Sequence, residues 1–152
     1  MAFNLDEFKK FEANNFEISK VKFSCKKLNA FQGANFLKVL IGKELLSDGL
    51  KEIEHYLNSN DGDITPLMLL ALISNIDIAF LENSIFPVIF ENTLVSYYNK
   101  SGVEIKPQPL TLCKEEVGSM IEAIDIYELC IRFIIINFFS SLNKKLSALT
   151  QK

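Results

Sequence analysis

The sequence is short of the residues that most often carry chemistry: its 152 positions hold one histidine, three cysteines, six glycines and a single arginine, Arg132. Each shortage removes a class of function. Any Ser-His-Asp or Cys-His arrangement would have to pass through His55, whose setting, Glu52-Ile53-Glu54-His55-Tyr56, reads as a solvated helical face. Cys25, Cys113 and Cys130 are odd in number, far apart and never in a C-x-x-C pair, so they read as buried, reduced thiols and not as a disulfide framework or a zinc site. The glycines form no G-x-G-x-x-G, and Gly42-Lys43 lacks the upstream glycine and the following Ser or Thr of a phosphate loop. The stretch Asn58-Ser59-Asn60-Asp61-Gly62-Asp63 is a turn and not a calcium loop, because setting Gly62 in register puts Leu57 and Met68 at the first and last ligand positions. Acidic pairs such as Glu115-Glu116 and Glu52/Glu54 lack the Glu-x-x-His partners of a di-metal bundle. No catalytic, cofactor-binding or metal-ligating residue is assigned, and the expectation is a protein that is not an enzyme.

Positive charge is scarce and unevenly placed. The net charge is −3 with a pI near 5.2, and no Lys or Arg occurs between Lys51 and Lys100. A nucleic-acid binder replaces counterions along phosphates with Lys and Arg, so nucleic acid is set aside as a partner. Long apolar runs fall short as well. Ile64 to Leu81 contains Asp77, and Leu129 to Leu142 is split by Arg132, against the roughly 20 apolar residues that a bilayer span requires. Both read as core helices, and membrane insertion is not expected. The opening Met1-Ala2-Phe3-Asn4-Leu5-Asp6-Glu7-Phe8-Lys9-Lys10 lacks the basic-then-apolar order of an export signal, which predicts a cytoplasmic location.

What the chain does have is hydrophobic bulk. Apolar residues make up 49% of it and include thirteen Phe, enough for one core without disulfide or metal staples. Leu5, Phe8 and Phe11 suggest a short N-terminal helix, so residues 1–15 read as a helical or flexible arm and 16–152 as a single helical domain. From Phe16 the pattern alternates through Ile18, Val21, Phe23 and Cys25, with a slip near Ser19, which predicts a strand or small hairpin. Asn29 caps a helix whose apolar stripe is Ala30, Phe31, Ala34, Leu37, Leu40 or Ile41, and Leu45. A shorter helix follows with Leu50, Ile53, Tyr56 and Leu57. Thr65-Pro66 starts a helix to about Leu81, and Ser84 starts another on which Phe86, Phe90, Leu94, Tyr97 and Tyr98 share a side. Lys106-Pro107-Gln108-Pro109 reads as an extended linker. Ser119-Met120-Ile121-Glu122 reads as a capping box opening a long central helix from Met120 to about Leu146. The expected fold is mainly α: a compact domain of five or six helices with a small N-terminal β-strand or hairpin.

Two stretches resemble a known family. Lys27-Leu28-Asn29-Ala30-Phe31-Gln32-Gly33, followed by Phe36-Leu37-Lys38-Val39-Leu40, is similar to the opening of the tail assembly chaperones of long-tailed phages and prophages, with Asn29 where those commonly carry proline. Ile134-Ile135-Ile136-Asn137-Phe138-Phe139 resembles their apolar-then-Asn-Phe ending, and the likeness runs from about Val21 to Leu142. The resemblance implies a small cytoplasmic chaperone that coats the helical, aggregation-prone tape measure protein, helps recruit tail tube protein, and self-associates. Many members of the family are made in two forms by a ribosomal frameshift near the end of the shorter one. Beside this resemblance, the hydrophobic excess and the acidic, base-free middle of the chain read either as a well-filled core or as a surface for an apolar and basic helical partner. The residues expected to form it are Phe80, Glu82, Phe86, Phe90, Glu91, Tyr97 and Tyr98. The alternative from a different class is a structural subunit of a phage-like particle or secretion machine, in which the same apolar helices make permanent contacts.

Overall fold

The computed structural model describes residues 5–42 and 65–139. The helix expected around His55, the loop at 58–63 and the end of the chain with Lys144-Lys145 lie outside the described residues.

The mainly-α expectation is overturned by a four-stranded antiparallel sheet in the order β1-β2-β3-β4. Strands β1 (Asn15–Ile18) and β2 (Val21–Cys25) form the hairpin that the alternation predicts. Strands β3 (Thr93–Tyr98) and β4 (Glu104–Pro109) form a second hairpin where a helix and a linker are expected. The two hairpins meet through β2 and β3, with Phe23 opposite Val95 and Cys25 opposite Thr93. Helices cover one face of this sheet, a two-layer arrangement in which each layer buries the apolar face of the other.

The local chemistry explains the correction. Thr93-Leu94-Val95-Ser96-Tyr97-Tyr98 alternates, with Thr93, Val95 and Tyr97 buried, and it is rich in the β-branched and aromatic residues that suit a pleated surface. The preceding helix cannot run into it, because the Asn92 side chain donates to Val88 O at 2.7 Å and the Thr93 hydroxyl donates to Ile89 O at 2.7 Å, satisfying carbonyls at the helix end. Asn99 then organises the β3–β4 loop: its side-chain oxygen accepts from the N–H groups of Ser101 and Val103, both at 3.0 Å, and Gly102 supplies the φ of 78° that closes it. Pro107 and Pro109 are compatible with β4 because it is an edge strand.

Among the helices, α1 (Leu5–Lys9) is tied to the core by Phe8, which is fully buried and stacks on Phe139 with ring centroids 4.4 Å apart. Helix α2 (Ala30–Gly42) begins at the expected cap, with Gln32 N–H donating to Asn29 Oδ1 at 2.9 Å and Asn29 N–H to Gln32 Oε1 at 3.3 Å. Its buried face differs from the expected stripe: Phe36 and Leu40 point inward, whereas Ala34 and Leu37 are exposed and Phe31 is 85% exposed. Helix α3 (Pro66–Ser74) starts at Thr65-Pro66 as expected and stops short of Leu81.

A second helical run, residues 78–91 (α4), comprises Ile78–Phe80, a π turn at Leu81–Ile85 and Phe86–Glu91. Pro87 has no N–H to give the carbonyl four residues back, Asn83, and its ring would crowd that group; the wider π turn falls there. Ser84 is thus inside a helix and does not start one. After the 3-10 turn Leu110–Leu112 and helix α5 (Lys114–Gly118), the last described run, residues 123–139 (α6), continues from α-helix Ala123–Ile134 into a π turn Ile135–Phe139. The expected box at Ser119 is displaced by three residues. The Ser119 hydroxyl donates to Glu116 O at 2.7 Å at the end of α5, and it is Asp125 that accepts the Glu122 N–H, at 2.8 Å.

Helix α6 is the centre of the molecule. Leu129, Cys130, Ile131, Phe133, Ile135 and Ile136 are all buried, so the helix is apolar on nearly every side, as its sequence predicts. Asn137 pins the chain between β2 and α2, accepting from Leu28 N–H at 2.7 Å while donating to Phe133 O at 3.0 Å. Phe36 of α2 packs edge-on to Phe133, 5.9 Å between centroids.

Candidate functional site

An open groove of about 580 Å³ lies between α4, the 110–118 segment and the start of α6. The spacing of residues on α4 builds its first wall. Leu81, Ile85 and Ile89, four apart, face the core and are buried, so the neighbouring ridge of Glu82, Phe86 and Phe90 is turned to the side, with Asn83, Pro87 and Glu91 beside it. Phe86 and Phe90 stack with centroids 5.1 Å apart and an interplanar angle of 17°. They stay half-buried and present a continuous aromatic surface. The opposite wall comes from Leu110 and Val117, both buried, with Ile126 from α6 and Gly118, whose missing side chain leaves the floor open.

The rim is charged. Glu82 and Glu91 stand on the α4 side and Glu115 on the other, all exposed, against one ammonium among the described residues, Lys114. An apolar floor with a mostly acidic rim can hold an apolar stripe flanked by basic side chains, since the floor removes the stripe from water and the rim attracts the flanks. Among the described residues no histidine or cysteine lines the groove, and no group of three or more His, Cys, Asp or Glu is placed to hold a metal. No described helix is long and apolar enough to cross a membrane.

Of the residues expected at a partner surface, Glu82, Phe86, Phe90 and Glu91 come together here. The other three do not join them. Phe80 is half-buried against the core, and Tyr97, 5% exposed, lies under the sheet. Burial pushes the Tyr97 phenol up to about 12, with the neighbouring Cys113 and Glu116 adding to the rise. Tyr98, one residue on in the strand, is 66% exposed and points to the opposite face of the sheet. A helix over 93–98 would set both tyrosines beside Phe90; the strand separates them. The sequence reading missed the second wall, because the segment after Pro109 carries no signal beyond Leu110, Val117 and the Glu115-Glu116 pair.

The other face of the sheet carries a shallow concavity of about 540 Å³ over Glu17, Lys22, Ser24, Ser96 and Pro107. Its exposed side chains are mixed in charge, and among the described residues that line it no aromatic ring lies open to solvent. A smaller space of about 270 Å³ lies between α1, α3 and α6, lined by Lys10, Phe11, Leu70, Glu128 and Ile131 among others. Neither combines an apolar floor with charge of one sign. No family model, no curated protein and no solved structure matches the chain.

Proposed function

We propose that the chain is a non-enzymatic, protein-binding chaperone of phage tail assembly. In this reading the groove along α4 receives a basic amphipathic helix of the tape measure protein, keeps it soluble, and brings tail tube protein to it. The observation that carries the binding part is the stacked Phe86–Phe90 pair set beneath Glu82, Glu91 and Glu115. A long amphipathic client would otherwise expose apolar stripes that associate with one another. Exposed carboxylates around the aromatic floor favour fast, reversible capture, since rim charges act mainly on the association rate. The link to phage tails rests on the resemblance of Leu28-Asn29-Ala30-Phe31 and of Ile134-Ile135-Ile136-Asn137-Phe138-Phe139 to the tail chaperones.

The test is to express the chain with its neighbouring genes, recover it, and identify what is bound. The expected result is a very long, helix-rich polypeptide that is insoluble when the chain is omitted, together with absence of the chain from finished particles. Recovery of the chain as a stoichiometric component of mature particles would overturn the chaperone reading in favour of a structural subunit.

A further inference from the structure

The two edges of the sheet are built differently. At β4, the N–H and C=O of Gln108 face β3, so the flanking Pro107 and Pro109 place their nitrogens on the outward edge, where they have no hydrogen to give. The ladder is also irregular between Val95 and Tyr97, which bends this edge. Proline and a bulge are the devices that close an edge to further pairing.

The β1 edge has neither. Ile18 pairs with Val21 across a two-residue turn, and Asn14 O accepts from Cys25 N–H at 2.9 Å, so the alternate residues Phe16 and Ile18 spend their backbone groups on β2. The N–H and C=O of Asn15 and Glu17 therefore point away from the sheet, and among the described residues no backbone group bonds to them. The same strand leaves Phe16 and Ile18 only half-buried, on the face that the helices cover.

We propose that this edge pairs with the β1 edge of a second copy of the chain, joining the two sheets antiparallel about a twofold axis through Phe16. That register sets Asn15 opposite the partner's Glu17 in both directions, so that all four outward donors and acceptors on each strand find partners. Phe16 comes opposite the partner's Phe16 on the helix-covered side, in the non-hydrogen-bonded position, each ring already stacked on Phe23 and covered by Arg132 of its own chain. At the ends of the ladder Glu12 approaches the partner's Lys20, two opposite charges repeated by the symmetry. The neighbouring registers are worse: one sets Glu17 against Glu17, and the other sets Phe16 against Asn14 and Ile18 against Glu12. The pairing is isologous, so it ends at two copies and does not run on into fibres, since both outer edges are then the proline-bearing β4. It does not rest on the groove.

The experiment combines sedimentation velocity over a range of concentrations with amide hydrogen exchange of the full chain. The pairing predicts a monomer–dimer equilibrium in which the Asn15 and Glu17 amides slow in step with the dimer fraction. Glu17→Pro removes one outward N–H and leaves the bonds to β2 in place, and it raises the dimer dissociation constant about tenfold or more. Lys20→Glu weakens the dimer and Glu12→Lys added to it restores the dimer. A chain that stays monomeric at every concentration overturns the proposal, as does a dimer in which the Asn15 and Glu17 amides exchange as fast as in the monomer. Should Glu17→Pro disturb the fold in circular dichroism, the exchange comparison on the unaltered chain decides alone.

Discussion

At Arg132 the chain sets its only guanidinium between two phenyl rings, 4.5 Å from the centroids of Phe11 and Phe16, with Glu128 Oε2 3.7 Å from Nε. Phe16 in turn stacks on Phe23, 5.4 Å away, so the planar cation extends an aromatic column from the N-terminal segment into the sheet. A flat, weakly hydrated cation suits that slot and a compact ammonium does not. Arg132→Lys is expected to lower unfolding stability by about 1–2 kcal/mol in urea titrations, the range of a partly desolvated cation–π contact. An unchanged midpoint would show that the stack contributes nothing. The titrating groups of the core point the same way as one another. Burial holds the Cys25 thiol up to about 11 from 9.0 and the Cys130 thiol up to about 12 from 9.0, and Tyr97 is raised to about 12 from 10.0. Each group is raised, so folding favours the neutral form; the stability is fully present below the ordinary values and falls as pH climbs through the window from 9 to 12. Urea midpoints should therefore be level up to about pH 9 and drop steadily above it, and a level profile to about pH 11 would contradict the burial of these groups.

Two elements show what sequence reading can and cannot reach. The β1–β2 hairpin was legible because Phe16, Ile18, Val21 and Phe23 alternate about a slip at Ser19-Lys20, and that slip is the turn itself: both residues have positive φ, 48° and 69°. Two left-handed residues in a two-residue hairpin loop favour Asn-Gly. Replacing Ser19-Lys20 by Asn-Gly should raise stability by about 1 kcal/mol or more by removing the left-handed strain, read as a higher thermal midpoint with unchanged far-ultraviolet dichroism. A lower midpoint would refute the turn assignment. Strand β3 was not legible, for a different reason. Phe86, Phe90, Leu94 and Tyr97 fall at helical spacing while Thr93, Val95 and Tyr97 fall at strand spacing, so two periods overlap on the same residues. The choice between them is made by Asn92 and Thr93, whose side chains close the carbonyls of Val88 and Ile89, and by the second hairpin that β4 offers as a partner. The prolines of β4 suggested extension correctly but hid the pairing, because an edge strand tolerates what an inner strand would not.

Across the whole molecule, half of the candidate site could be read in advance and half could not. Glu82, Phe86, Phe90 and Glu91 lie on one helix, where spacing alone places them together, whereas Leu110, Glu115, Val117 and Ile126 reach the groove only because β3 and β4 turn the chain back across α4. The core was legible in kind, since an apolar α6 has to be buried on several sides, but its covering by a sheet was not. Binding of an amphipathic helix by the acidic-rimmed aromatic groove is measured as the affinity for a synthetic helix with leucines on one side and lysines flanking them. It should be titrated against the unaltered chain and against Glu82→Lys/Glu91→Lys, with thermal melts of both. Binding is expected to weaken about tenfold or more in the double variant and with added salt, while the melting temperature stays within a few degrees, as exposed charges contribute little to folding. Equal affinity for both proteins, or a loss of binding matched by a loss of stability, would contradict it.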